Sequence, residues 1–309
     1  MRLYSINSGF FKLDGGAMFG VVPKSIWNKI NPADDNNLCA WALRCLLIEE
    51  GDRLILVDTG LGTKQDAKFF GHYGLHGSDS LDGSLARHGF NRHDITDIIL
   101  THLHFDHCGG TIAKEADRLV AAFPKARVWS NPEHWNWAVQ PNDREKASFL
   151  KENILPIKEL GQLHMIDMPD EVTDSSHENG RAESEKTNAQ LPQSKAVLGT
   201  TPFEHNIDIR FANGHTRAMM LPQIRYRNHT IVFMADLLPS AGHIPLPYVM
   251  AYDMFPLTSL QEKRMFLEEA VTNNYVLFFE HDREHECCTL QRTEKGIRPD
   301  RFFSLAELD

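Results

Sequence analysis

The chain is poor in cysteine: five in 309 residues, at Cys39, Cys45, Cys108, Cys287 and Cys288, with no Cys-x-x-Cys pair. An odd and scattered set argues against a disulfide framework and for free thiols in a reducing compartment. Long apolar runs are also missing. None approaches the roughly 20 residues that span a bilayer, and the opening Met1–Phe10 lacks the basic end and apolar core of a signal peptide. The chain as given is therefore expected to be cytoplasmic, with no membrane partner. No basic run occurs, and a formal net charge of −10 opposes nonspecific binding to phosphate backbones, so no nucleic-acid partner is expected. No Gly-x-Ser-x-Gly elbow appears, so a serine nucleophile has no obvious seat. What remains is globular in character. A hydrophobic share of 42% against 24% charged is that of a folded protein, and the length suits one large domain or two small ones.

Against this background one run stands out: Thr101-His-Leu-His-Phe-Asp-His-Cys-Gly-Gly110. Neutral imidazole and carboxylate are the usual ligands of zinc and similar ions, and here four such groups lie within six positions. Residues two apart on an extended loop point the same way, so His102 and His104 can converge on one ion. Asp106 and His107 lie past a turn and can reach a second ion beside it. The Asp-His adjacency predicts a tight turn rather than a helix face, and Gly109-Gly110 lets the backbone bend without a Cβ clash.

The surrounding pattern is α/β. Leu43–Ile48 and Arg53–Val57 flank a turn and read as a hairpin. Ser80 to His88 reads as a helix stopping at Gly89, Ile95–Leu100 as a strand, Ile112–Phe123 as a helix and Ala126–Trp129 as a strand. Pro132 to about Leu150 is predicted helical with a break at Pro141. Residues 170–195 are polar and without periodicity, which predicts a surface loop or insertion within one domain spanning 1–309. Then Ile207–Phe211 and Ile231–Ala235 read as strands, Thr258 to about Val271 as a helix with a capping box, and Tyr275–Phe279 as a strand. His215, Asp236 and His281 each fall just past a predicted strand, as the first cluster does. Strand ends in an α/β sheet gather functional groups along one edge, so these three join the first four as candidate metal ligands.

With Val57-Asp58-Thr59-Gly60, His102-x-His104-x-Asp106-His107, Gly214-His215-Thr216, Asp236 and His281 in this order, the chain resembles the metallo-β-lactamase superfamily of metallohydrolases. The resemblance covers most of the chain and implies a four-layer αβ/βα sandwich with two zinc ions. It implies that His102, His104 and His215 hold one ion and Asp106, His107 and His281 the other. Asp236 would bridge both, and Asp58 would support the ligand loop from behind. One departure is that Arg217-Ala218-Met219 follows Gly-His-Thr, where many members continue Pro-Gly-His.

Within the superfamily the run His102–Gly110 and the segment Leu13–Lys24 resemble the quorum-quenching N-acyl-homoserine lactonases and their organophosphate-hydrolysing relatives. That likeness implies a small-molecule substrate with a lactone, ester or phosphotriester bond. Two zinc ions sharing a water would lower its pKa and supply hydroxide near neutral pH. Asp106 would orient the nucleophile and pass a proton to the leaving group. Phe19 and Phe105 are expected to line an acyl pocket, and His243 to face it or to be a loop histidine. The Leu13–Lys24 segment could touch substrate, form a hairpin or join two copies in a homodimer. Some lactonases carry a tyrosine soon after the bridging Asp. Here Leu237-Leu238-Pro239 follows, leaving Tyr248 or Tyr252 as substitutes.

Other readings are weaker. Glyoxalase II carries a helical C-terminal domain, and only 28 residues follow His281. Secreted β-lactamases often use Cys where Asp236 stands. Oxygen-reducing diiron relatives usually have Glu where His104 stands, and RNA-processing members are disfavoured by the negative charge. The non-enzymatic alternative, a zinc-stabilised binding protein, conflicts with the retention of all seven candidate ligands.

Overall fold

The computed structural model of the chain describes residues 1–169 and 199–308, so the polar stretch expected at 170–195 lies outside the described residues. In chain order the first half contains β1 (Arg2–Asp14), α1 (Gly15–Phe19), α2 (Lys24–Trp27), β2 (Leu38–Glu50), β3 (Arg53–Val57), α3 (Ala67–Tyr73), α4 (Leu81–Arg87), β4 (Asp97–Ile99), α5 (Phe105–Cys108), β5 (Ile112–Glu115), β6 (Arg118–Ala121), β7 (Arg127–Ser130), α6 (Pro132–Val139), α7 (Lys151–Glu159) and β8 (Leu163–Met165). The second half contains β9 (Thr200–Glu204), β10 (Ile207–Ala212), β11 (Met219–Tyr226), β12 (His229–Phe233), α8 (Pro256–Thr272), β13 (Val276–Phe278), β14 (Cys287–Thr293) and β15 (Gly296–Phe303).

The strands form two main sheets, ordered β1-β2-β3-β4-β7-β8 and β15-β14-β13-β12-β11-β10-β9. Side chains alternate between the faces of a strand, and the apolar residues of the first sheet are split accordingly. Leu46, Ile48, Ile55, Val57 and Ile99 face the second sheet, sharing one core with Ile209, Phe211, Leu221, Ile231 and Phe278. Their neighbours Leu47, Leu54, Leu56 and Ile98 face the other way, onto Leu85 of α4, Trp135 of α6 and Ile157 of α7. Helix α8 covers the outer face of the second sheet through Phe266, Leu267 and Ala270. The layers are thus helices, sheet, sheet and helix, the four-layer sandwich that the family resemblance implies. No helix among the described residues is long and apolar enough to cross a membrane.

Strand direction decides where the loops of interest lie. From β3 to β8 the neighbouring strands of the first sheet run parallel. In the second sheet β10 and β12 each run antiparallel to β11 and so parallel to one another, and β12 is parallel to β13. The C-terminal ends of β4, β10, β12 and β13 therefore open onto one edge of the sandwich.

Besides the capping box read at Thr258, which falls inside α8 because that helix starts at Pro256 with no side-chain cap, three local expectations need correction. Residues 112–123 are not a helix: β5 and β6 form a hairpin pairing Ile112 with Ala121 and Glu115 with Arg118. Ala116 takes φ +52° in its turn, which a helix forbids, and Ile112 and Phe123 enter the core beside Ile154 and Ile157. The alanine-rich composition favours helix locally, and tertiary packing overrides it. The second concerns 132–150, where the helix ends at Val139. A separate α7 follows, carrying Pro156 within it, which the sequence reading did not foresee. Last, Asp106 and His107 sit on a single helical turn, α5, rather than on a non-helical turn. His104 is extended (φ −65°, ψ 153°) immediately before it, and its carbonyl accepts from the amides of His107 and Cys108.

Candidate metal centre

Seven donors arrive at the common edge from loops that each leave a buried strand. His102 and His104 follow β4, Asp106 and His107 sit on α5, and His215, Asp236 and His281 follow β10, β12 and β13. All are buried. Donor atoms of His102, His104 and His215 lie within 4.8 Å of one another, as do those of Asp106, His107 and His281. A third grouping, His102, His107 and Asp236, joins the two. His102 Nε2 is 3.0 Å from His104 Nδ1, which is 3.2 Å from His215 Nε2. His281 Nε2 is 3.3 Å from His107 Nε2. Asp236 reaches both sides: Oδ2 is 3.1 Å from His215 Nε2, and Oδ1 is 3.2 Å from His281 Nε2.

The backbone of this edge is tightly specified. Asp58 adopts φ +58°, a left-handed conformation that Asp tolerates better than most residues. There it accepts from the Thr101 amide at 2.8 Å, the Thr101 hydroxyl at 2.6 Å and His107 Nδ1 at 3.1 Å. Gly109 and Gly110 serve a close approach: a Cβ on either would stand 2.2 Å from the carbonyl oxygen of Leu61 or Thr59. They let the Asp58 loop press against the ligand loop.

The outer nitrogen of every histidine in the cluster meets an acceptor. His104 Nε2 is 2.9 Å from Glu145, His215 Nδ1 is 2.9 Å from Asp253, and His281 Nδ1 is 2.8 Å from the Ala42 carbonyl. His107 Nδ1 faces Asp58 at 3.1 Å and Glu280 at 3.0 Å. His102 Nδ1 lies 3.1 Å from the Thr101 hydroxyl, which is already donating to Asp58 and so accepts here. Such partners hold the ring proton on the outer nitrogen and leave the inner lone pair bare, the arrangement found around metal-ligating histidines.

Bare lone pairs facing one another about 3 Å apart repel unless a proton or a cation lies between them. Asp236 Oδ1 is likewise buried without a hydrogen-bond partner. The donor set, five imidazoles and two carboxylates, suits a first-row divalent ion. The residues present therefore fit a pair of metal ions.

The buried acids of the site favour positive charge within it, whether a proton or a metal ion supplies it. Burial and the neighbouring His107, His104 and His215 push His102 well below its ordinary pKa. Burial also opposes charge on His281, but Asp236 and Glu280 override it and lift that ring to about 9. Asp236 is buried, yet His215, His107 and His281 hold it well below the usual carboxylate range. Burial alone would raise Glu145; hydrogen bonds from His104, Thr216 and Trp137 outweigh it and hold the carboxyl at about 2.

A cavity of about 240 Å³ opens over the cluster. His104, Asp106, His215, Asp236 and His281 reach it, with His102 and His107 lying behind. Its apolar wall includes Met18, Phe105, Met250 and Met254, and Arg144 supplies a cation that donates to the Ala251 carbonyl across the mouth. Phe105 borders the cavity, with its ring 4.7 Å from Tyr73. Phe19 and His243 are not at the wall. They stack on one another at 4.7 Å in a layer behind it, where His243 Nε2 donates to the Met18 carbonyl at 2.9 Å and Nδ1 meets Ser240 at 2.8 Å. Met18 and Phe19 are consecutive on the one-turn α1, so they face different ways. The hairpin alternative for Leu13–Lys24 also fails, since that segment leaves β1 at Asp14, forms α1 and ends at the first residue of α2. Tyr252 lines the cavity, whereas Tyr248 packs edge-on against Phe19.

Glu145, Asp253 and Glu280 were not singled out in the sequence. Their only signal there is general: each ligand histidine needs an acceptor behind it. Which acid serves is hidden, because Glu145 and Asp253 lie 41 and 38 residues from their histidines.

Comparison with known proteins accords with this geometry. A family model described as the metallo-beta-lactamase superfamily matches residues 43–281. A probable metallo-hydrolase of Mycobacterium tuberculosis is 30% identical over 149 residues, which cover 43% of this chain and 45% of that protein. An N-acyl homoserine lactonase of Bacillus thuringiensis is 31% identical over 119 residues, 35% of this chain and 43% of that one. The match thus spans under half the length of these curated relatives. Among solved structures, a probable metal-dependent hydrolase from Staphylococcus aureus aligns with a TM-score of 0.80 at 23% identity, covering 98% of this chain and 96% of that one. A dizinc quorum-quenching lactonase, AidC, in complex with a product aligns with a TM-score of 0.70 at 20% identity, covering 98% and 95%. These two structural likenesses are of fold. With the family model spanning both ends of the ligand set, the chain belongs to the metallo-β-lactamase superfamily.

Proposed function

We propose that this protein is a dizinc hydrolase that opens the lactone ring of N-acyl-homoserine lactones. The observation that carries the reading is the seven-donor cluster at the floor of a cavity with a methionine- and phenylalanine-lined wall. The lactonase relatives support the substrate class.

In this reading His102, His104 and His215 hold one ion, Asp106, His107 and His281 hold the other, and Asp236 lies between. When bound, such a pair lowers the pKa of a shared water and polarises a carbonyl. The chain's own residues do the rest. Asp106 borders the cavity, with Oδ2 3.8 Å from both His107 Nε2 and His281 Nε2. There it can take a proton from the attacking water and return it to the leaving ring oxygen. Met18, Phe105, Met250 and Met254 exclude water and receive the acyl chain. Tyr252 offers the hydroxyl nearest in role to the missing local tyrosine.

The test is a substrate panel on zinc-loaded protein: acyl-homoserine lactones of several chain lengths, an aryl ester and an aryl phosphotriester. Lactones are expected to give the highest kcat/KM. Rapid phosphotriester cleavage without lactone turnover would transfer the site to the organophosphate reading.

A further inference from the structure

Helix α8 carries Glu262 and Lys263 side by side, both buried. Adjacent residues on a helix point about 100° apart, and the two serve different loops. Glu262 accepts from the backbone amides of Asn213 at 2.7 Å and Gly214 at 2.9 Å, behind His215. The Lys263 ammonium instead meets three carbonyls, those of Pro245 at 3.2 Å, Leu246 at 3.3 Å and Tyr248 at 2.7 Å. An ammonium has three donors and no acceptor, so this arrangement uses its whole capacity.

These carbonyls belong to residues 245–254, a stretch without helix or strand. Such backbone must find partners outside regular structure. The same stretch supplies Met250, Ala251, Tyr252 and Met254 to the cavity. Its far end is tied to the metal centre: the Met254 and Phe255 amides donate to the carbonyls of His215 and Gly214, and Asp253 receives His215 Nδ1. Its middle is tied to the N-terminal segment by the Ala251 amide on the Ala17 carbonyl at 2.8 Å. The near end rests on Lys263.

We infer that Lys263 is a positioning residue that sets the shape of the substrate cavity by gathering the carbonyls of Pro245, Leu246 and Tyr248. Burying a charge is costly, and burial pushes this ammonium down to about 7 against the upward pull of Asp253. Packing alone would be served by an apolar side chain. Three convergent carbonyls give the charge a specific use. Lys263 does not border the cavity, so it acts through the wall and not on substrate. The consequence for substrate binding rests on the hydrolase reading above; the consequence for the wall does not.

The experiment compares metal-loaded wild type with Lys263→Met, which removes charge and donors, and Lys263→Arg, which keeps both. Amide hydrogen exchange over 245–254, bound metal, and KM and kcat are measured on whichever ester the wild type cleaves fastest. In Lys263→Met, exchange over 246–252 is expected to quicken by about tenfold or more. KM should rise about tenfold with kcat within about threefold, and bound metal should be unchanged. Lys263→Arg should recover most of both changes. If Lys263→Met does not fold, Lys263→Gln, a neutral donor, carries the same comparison with smaller changes expected. Unchanged exchange and KM, or a fall in kcat and metal content with KM unchanged, would overturn the inference. If wild type cleaves no ester, the hydrolase reading fails, and exchange alone still decides the role of Lys263.

Discussion

Each inward nitrogen of the cluster can turn its lone pair to a metal ion because the other nitrogen of its ring is already engaged. Asp253 does this for His215 and Glu145 for His104. Replacing Asp253 by Asn keeps the shape but removes the charge and offers an N–H that can turn the ring. Metal affinity or activity should fall about 10- to 100-fold, while the melting temperature of the metal-free protein should change little. Metal titration and thermal melts separate these. Asp236→Ala goes further, because its carboxylate reaches His215 on one side and His281 on the other. Metal content should drop and activity should fall more than about 100-fold. Full activity with one ion fewer would contradict the bridging position.

At the scale of elements, the seven candidate ligands were readable because they follow four strand ends, where a short apolar run and a polar side chain are adjacent in sequence. Their acid partners were not readable, because the fold brings them from other elements. The misread stretch 112–123 has the same cause: its alanines favour helix, and only the core shared by Ile112, Phe123 and Ile154 selects the hairpin. Proximity to the right motifs suggests the pocket for Phe19, and the pocket or a loop for His243, but the turn of α1 directs Met18 to the cavity instead. The hairpin makes a prediction opposite to that of a helix. Ala116 has φ +52°, which costs a residue with a Cβ roughly 1–2 kcal/mol. Ala116→Gly relieves this and should stabilise the protein by about 0.5 kcal/mol after the entropy of the added glycine. In a helix the same change would destabilise it by about 1 kcal/mol. A denaturant titration gives the sign.

At the scale of the whole molecule, two sheets share one core, and charge is buried within the first of them at Asp97. Burial would raise that carboxyl, yet Arg53, Trp129, Thr96 and Arg127 hold it at about 2 against an ordinary 3.8. Its folded pKa is depressed, so its contribution is full above 3.8 and fades as pH falls through about 2. With partly exposed arginine partners this amounts to about 1–2 kcal/mol. Asp97→Asn should therefore be less stable than wild type at pH 7, with the gap narrowing between pH 4 and pH 2. The fold matters to function because it delivers seven donors from both sheets to one edge, and the claim that they hold two ions is open to a direct measurement. Metal-free protein is titrated with zinc while lactone hydrolysis and bound metal are followed together. Activity is expected to be absent at the start and to level off at about two ions per chain. Full activity without added metal, or a plateau at one ion, would contradict the dinuclear centre.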